Sequence, residues 1–244
     1  MKKAKITALI LAVVLVVSGA AIGIYAADYY HMDDTAIAAM ASSNITVETT
    51  DGITVFSPAQ ARTGFIFYPG GKVEYTAYAP LMKALAENGI LCVIPKMPLN
   101  LAVLDVDAAE GILEYYPEID TWYIGGHSLG GSMAASYAAD CDDFAGLILL
   151  ASYSTADLTQ GDLRVLSVYG DRDGVLNREK YEQYRENLPE STVELVLEGA
   201  NHAGFGAYGP QEGDGEAAIS RQEQQEKTVE AICGFLLAQL APAD

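Results

Sequence analysis

The sequence predicts an α/β domain, a mostly parallel sheet with helices on both faces and no cap domain. Three observations carry this expectation. Strand-like and helix-like runs alternate after about residue 45, the order of repeated βα units. Gly126-His127-Ser128-Leu129-Gly130 lies between an apolar strand-like run, Trp122 to Ile124, and a helical run, Met133 to Ala139. The residues able to do chemistry then fall just past expected strands, where open parallel sheets gather their sites.

Taken in order, Ile53 to Phe56 and Phe65 to Tyr68 read as strands. Tyr78 to Asn88 reads as a helix, with Leu81, Met82 and Leu85 at helical spacing. Ile90 to Ile94 is a strand, Leu101 to Tyr115 a helix, and Tyr123 to Gly125 the strand entering the glycine-rich turn. Ala145 to Leu150 and Arg164 to Tyr169 are strands, Arg178 to Asn187 a helix, and Thr192 to Leu197 the last strand. Ser220 and Glu223 form a capping box that opens a closing helix to about Leu240. Only residues 151–163 separate two of these strands, which leaves no room for an inserted cap. An open cleft follows, suited to small or extended soluble esters rather than to an oil interface.

Gly-x-Ser-x-Gly between strand and helix is a turn so tight that the residues flanking the serine must lack bulky side chains. Gly126 and Gly130 meet that demand and leave Ser128 exposed at the sheet end. A serine hydroxyl needs a base, and the base needs an orienting acid. Of the three histidines, His127 is too close in the turn to bend back on Ser128, and His31 adjoins the N-terminal apolar segment. His202, on a glycine-rich loop after the last strand, is the candidate base. The acid should lie between serine and histidine in chain order, and Asp171 and Asp173 both follow the strand ending near Gly170. Asp173 lies farther into its loop and is preferred, with Asp171 better suited to holding local backbone amides.

With these residues the chain resembles the α/β-hydrolase superfamily, in its small lid-less esterase and dienelactone-hydrolase-like branch, over about residues 46 to 240. The elbow at 126–130, Gly-Asp-x-Asp at 170–173 and Asn201-His202 carry the resemblance. It implies an oxyanion hole made of two backbone amides, one from Leu129 and one from the loop after an early strand. Many relatives have His-Gly-x there; this chain has Pro69-Gly70-Gly71-Lys72. Backbone N–H groups supply the hole, so Pro69 does not remove it; Gly71 is the expected donor and Lys72 its alternative. A dienelactone hydrolase proper has cysteine at the elbow, so Ser128 points to ordinary carboxylic esters, cleaved through an acyl-serine. An acyltransferase or peptidase on the same fold, or an inactive tethered binding module, are the alternatives.

The loop from Asn201 to Gly215 carries Phe205, Tyr208, Gln211 and Asp214; its aromatics are expected to plug the loop onto the core. Asp214 lies in Glu-Gly-Asp-Gly-Glu, which lacks the Asp-x-Asp-x-Asp-Gly spacing of a calcium loop, and no metal or cofactor is implied. Tyr75, Tyr78 and the loop 96–100 lie near strand ends and suit either the pocket or the turns. Cys92, Cys141 and Cys233 are odd in number and fit no metal spacing, so they read as small buried hydrophobes.

At 244 residues, half of them hydrophobic, the chain suits one sizeable core. Residues 1–27 read as a membrane anchor or signal peptide, 28–45 as a tether or lead-in helix, and 46–244 as the catalytic domain. Ile6 to Ala27 is 22 residues without a charge, enough to span a bilayer. The lysines at 2, 3 and 5 favour a cytoplasmic N-terminus and a domain outside the cytoplasm. The competing reading is a secreted protein cleaved near Ser18-Gly19-Ala20. Beyond residue 27, 11 of the 14 basic residues face all 33 acidic ones, a charge of −22. That surface excludes nucleic acid and anionic headgroups as partners and leaves a small-molecule ester.

Overall fold

The computed structural model describes residues 27–41, 43–50 and 52–237, with single positions between 7 and 25. Most of the stretch 6–27 read as anchor or signal, and the expected helix end beyond 237, lie outside the described residues. Among the described residues no helix is long and apolar enough to cross a membrane.

Eight strands form one sheet: β1 (Thr46–Thr50), β2 (Ile53–Ser57), β3 (Thr63–Tyr68), β4 (Ile90–Pro95), β5 (Thr121–His127), β6 (Phe144–Leu150), β7 (Arg164–Gly170) and β8 (Val193–Leu197). Their order is β1-β2-β4-β3-β5-β6-β7-β8. β1 pairs β2 and β2 pairs β4 antiparallel; every other neighbouring pair is parallel. Sequence reading misses β1, because Thr46-Val47-Glu48-Thr49-Thr50 is polar and almost wholly exposed and shows no apolar alternation.

Among the described residues from 28 on, the α-helices are α1 (Asp34–Met40), α2 (Ala79–Glu87), α3 (Leu129–Ala138), α4 (Arg178–Gln183) and α5 (Arg221–Leu237). Successive side chains of β3 serve opposite layers. Phe65 and Phe67 pack with α2 and α5 residues such as Leu81, Leu85 and Ile232, whereas Ile66 and Tyr68 pack with Ala134 and Ala135 of α3. Both faces of the sheet are therefore buried, which is why its central strands read as continuous apolar runs. At the start of α5 the Glu223 amide donates to Ser220 Oγ at 3.1 Å, the forward half of the expected capping box.

The helix expected over Leu101 to Tyr115 is a correction. The segment holds only 3₁₀ turns at Ala102–Leu104 and Leu113–Tyr115. The cause is the side chain of Tyr68, whose hydroxyl donates to the Val106 carbonyl and accepts from the Ala109 amide, both at 2.9 Å. Those are backbone groups a helix would pair within itself. Gly111, at φ +74°, ends any continuation.

Residues 28–41 lie against the domain. Tyr30 pairs with Val73 in a parallel bridge, and Asp33 caps α1 through the Thr35 and Ala36 amides.

Candidate active site

Ser128 joins β5 to α3 at φ +53° and ψ −124°, a backbone region that costs an L-residue and persists only where the surroundings impose it. The surroundings here are glycines. A Cβ on Gly130 would collide with the carbonyl oxygens of Tyr68 and Pro69, and one on Gly126 with that of Tyr68. The turn is also tied from behind: the Ser128 amide donates to the Leu150 carbonyl at 2.9 Å, and Ser152 Oγ donates to the Ser128 carbonyl at 2.8 Å. Those bonds hold the serine at the end of the sheet, half-exposed.

Asp173 and His202 come together as a buried pair. His202 Nδ1 lies 2.8 Å from Asp173 Oδ2, with the side chains 1% and 0% exposed. The other Asp173 oxygen accepts the Val175 and Leu176 amides at 2.8 and 2.7 Å, which fixes the carboxylate's plane. Asp171 instead accepts the Gly199 amide at 2.7 Å, which ties its loop to the one after β8, a longer reach than the local turn bonds expected for it. With Nδ1 committed, Nε2 is the nitrogen His202 has left, and it has no partner among the described residues. Ser128 and His202 are not joined by a hydrogen bond here; such contacts are commonly loose before substrate binds.

The amides after β3 sort themselves by partner. Gly70 donates to the Tyr78 hydroxyl at 3.1 Å and Lys72 to the Asn100 carbonyl at 2.8 Å. The Gly71 amide between them has no partner among the described residues. Leu129 is the first residue of α3, so its amide has no intrahelical acceptor. Gly71 packs on Leu129: a Cβ added to Gly71 would stand 3.0 Å from Leu129 Cδ2. Two uncommitted amides thus neighbour the serine.

Tyr78 ties this loop to the elbow. Its hydroxyl accepts from Gly70 and shares a hydrogen bond of 2.8 Å with His127 Nδ1. Tyr78 and His127 are both buried. Tyr78→Phe leaves the Gly70 amide and His127 Nδ1 unpartnered, an expected loss of about 1–3 kcal/mol, read from urea unfolding. His127 is held well below the usual histidine range, first by burial and then by the neighbouring His202, whose ring centroid is 4.4 Å away. A histidine kept neutral in the fold and free to protonate when unfolded stabilises the fold fully above its ordinary value of 6.5. The stability is lost as pH falls below that value, at about 1.4 kcal/mol per pH unit while one extra proton binds the unfolded chain. His127→Gln is expected to flatten that slope in urea midpoints measured between pH 6.5 and 5.5.

Asp214 is the residue that sequence reading undervalued. One of its oxygens accepts the amides of Gly174 at 3.1 Å, His202 at 3.2 Å and Gly215 at 2.8 Å, and the other accepts Ala203 at 2.8 Å. It therefore fastens the Asp173 loop to the His202 loop. Gln224 of α5 braces the same loop, accepting from the Asn201 amide at 3.1 Å and donating to its carbonyl at 2.8 Å. Phe205 and Tyr208 are buried, as the plugging reading expects. The only sequence signal for Asp214 was an acidic, glycine-rich run, Glu212 to Glu216, a common pattern of exposed turns.

Among the described residues no group of His, Cys, Asp and Glu is arranged to hold a metal ion. All three cysteines are free. Cys92 is buried, and burial pushes its thiol well above the usual range, away from the thiolate.

Residues 64–226 match the profile of the alpha/beta hydrolase family. No curated protein matches the chain in sequence. Solved structures share its fold. An alpha/beta hydrolase enzyme from a sediment metagenome of the Mar Chica lagoon, Morocco, is 15% identical with a TM-score of 0.60, over 80% of this chain and 100% of that one. A thermostable esterase from Pseudomonas putida is 15% identical with a TM-score of 0.59, over 81% and 86%. Est1E from Butyrivibrio proteoclasticus is 17% identical with a TM-score of 0.56, over 82% and 100%.

Proposed function

The chain belongs to the alpha/beta hydrolase family, and on that premise we propose that it cleaves carboxylic esters through an acyl-serine on Ser128. The observation that carries the reading is the buried Asp173–His202 pair at 2.8 Å, with Nε2 of His202 uncommitted. Asp173 keeps the ring proton on Nδ1 and stabilises the imidazolium, so Nε2 is the base. It takes the Ser128 proton as Oγ attacks the ester carbonyl. The Gly71 and Leu129 amides receive the oxyanion, and their worth lies in being oriented before charge develops. The tetrahedral intermediate expels the alcohol, which His202 protonates. Water, deprotonated by His202, then attacks the acyl-serine, and the acid leaves with Ser128 restored.

The thermostable esterase from Pseudomonas putida that shares this fold agrees with that substrate class. The membrane-inserted reading of residues 6–27, with the domain outside the cytoplasm, belongs to the same proposal and rests on the length of that uncharged stretch.

A fluorophosphonate probe applied to the full chain tests the chemistry. Wild type should label and turn over short esters, while Ser128→Ala should do neither. A wild type that stays unlabelled, or an alanine variant that labels equally, refutes the reading.

A further inference from the structure

We propose that the face carrying the mouth of the site is a membrane-contact surface for a zwitterionic bilayer, and that its substrates are esters with an apolar chain held in that bilayer. The substrate half rests on the serine-esterase reading, and the surface rests on the membrane-inserted reading of residues 6–27.

The uncharged stretch ends at Ala27, and the chain is fastened at once. Lys72, next to Gly71, reaches Asp28 at 2.7 Å, and its ammonium lies 4.6 Å from the centre of the Tyr25 ring. The Tyr30 amide donates to the Lys72 carbonyl at 2.7 Å, and Tyr30's carbonyl accepts the Glu74 amide at 2.8 Å. The Tyr30 hydroxyl accepts the Glu212 amide at 3.1 Å, Asp33 donates through its amide to Ala207 at 2.8 Å, and its carboxylate pairs with Arg221 at 2.6 Å. One residue spans at most about 3.6 Å of chain. A segment ending at residue 27 therefore has no slack with which to stand away from the oxyanion loop. The chain that runs back from Asp28 therefore leaves the domain beside the mouth.

A second observation meets it there. Leu99, Val103 and Leu104 are 44%, 51% and 53% exposed, three large apolar side chains within six residues. Their loop is bound to the oxyanion loop, since Asn100's carbonyl takes the Lys72 amide and Leu101 Cδ2 lies 3.7 Å from where a Gly71 Cβ would be. Leu99 and Asn100 both adopt positive φ, +53° and +56°, a conformation that costs L-residues and here displays a leucine to the exterior. Exposed apolar side chains grouped at the rim of a site mark a surface that is covered in use. The charge of the chain beyond residue 27 selects the lipid: a domain at −22 is repelled by anionic headgroups and tolerated by zwitterionic ones. A bilayer at this mouth reverses the expectation of small, freely soluble esters.

The test reconstitutes the full chain in phosphatidylcholine vesicles. The protein has one tryptophan, Trp122, which is buried, so an added tryptophan reports its own depth. Brominated phosphatidylcholine should quench Leu104→Trp and not Val193→Trp, on the exposed edge strand β8. In a second arm, the double variant Leu99→Asp with Leu104→Asp should lose about tenfold or more in turnover of a long-chain ester carried in the vesicles. Its turnover of a soluble acetate ester should stay within about twofold. Absence of quenching at position 104, or equal losses on both esters, overturns the inference. Quenching without fluorophosphonate labelling of Ser128 keeps the surface and defeats the esterase reading; labelling without quenching does the reverse.

Discussion

Asp173→Asn is expected to lower kcat on a soluble ester by about 10⁴-fold while the fold stays intact. The asparagine oxygen can still accept the Val175 and Leu176 amides, which Asp173 holds at 2.8 and 2.7 Å. Its other atom becomes an N–H donor facing His202 Nδ1. The imidazole then answers by moving its proton to Nε2, the nitrogen that must be bare to receive the Ser128 proton. The thermal midpoint should barely move, because no buried amide loses its acceptor. Asp171→Asn is the control: its single bond, from the Gly199 amide, survives in asparagine. Turnover by Asp171→Asn should stay within a few-fold of wild type. A loss below about tenfold in Asp173→Asn would remove Asp173 from the proposed role.

Asp214→Ala is the second large effect. It deprives the Gly174, His202, Ala203 and Gly215 amides of their acceptor together. The expected stability loss is about 1–3 kcal/mol for the amides that stay buried, with more available water tempering it at the exposed ones. The functional loss should be larger in proportion. Of the ties between the Asp173 and His202 loops, the one through Asp214 is gone, and a misplacement of about 1 Å can cost 10²-fold in kcat. Asp214→Asn keeps one acceptor oxygen and presents an N–H where the second was, so it should fall between wild type and alanine. Stopped-time ester assays beside urea melts of the three proteins check the order. Equal kcat in all three would show that the loops hold their geometry without Asp214.

The site was legible to very different depths along the chain. Ser128 could be read because its elbow is a local steric problem, solved by Gly126 and Gly130 within five residues. His202 followed by elimination among three histidines, and Asp173 by chain order and loop position. The helix expected at 101–115 failed because its rival lay far away in sequence. Tyr68 of β3 reaches over and takes two of its backbone groups, and no periodicity within the segment records that. β1 was invisible for the complementary reason, since an exposed edge strand carries no apolar alternation.

The amino-acid order by itself determined the alternation of strands and helices, the tight serine turn and the sequence Ser, Asp, His, all features set by neighbours within a few residues. Only the tertiary structure decided which amides remain uncommitted beside Ser128, that Asp214 joins the two loops, and that residues 28 to 33 lie fastened to the segment 72–74 that follows Gly71. Each of those depends on a partner dozens of residues distant or more, as Tyr30 to Lys72 and Asp214 to Gly174 are. Chain closure over such distances is a property of the folded core, and local pattern does not contain it.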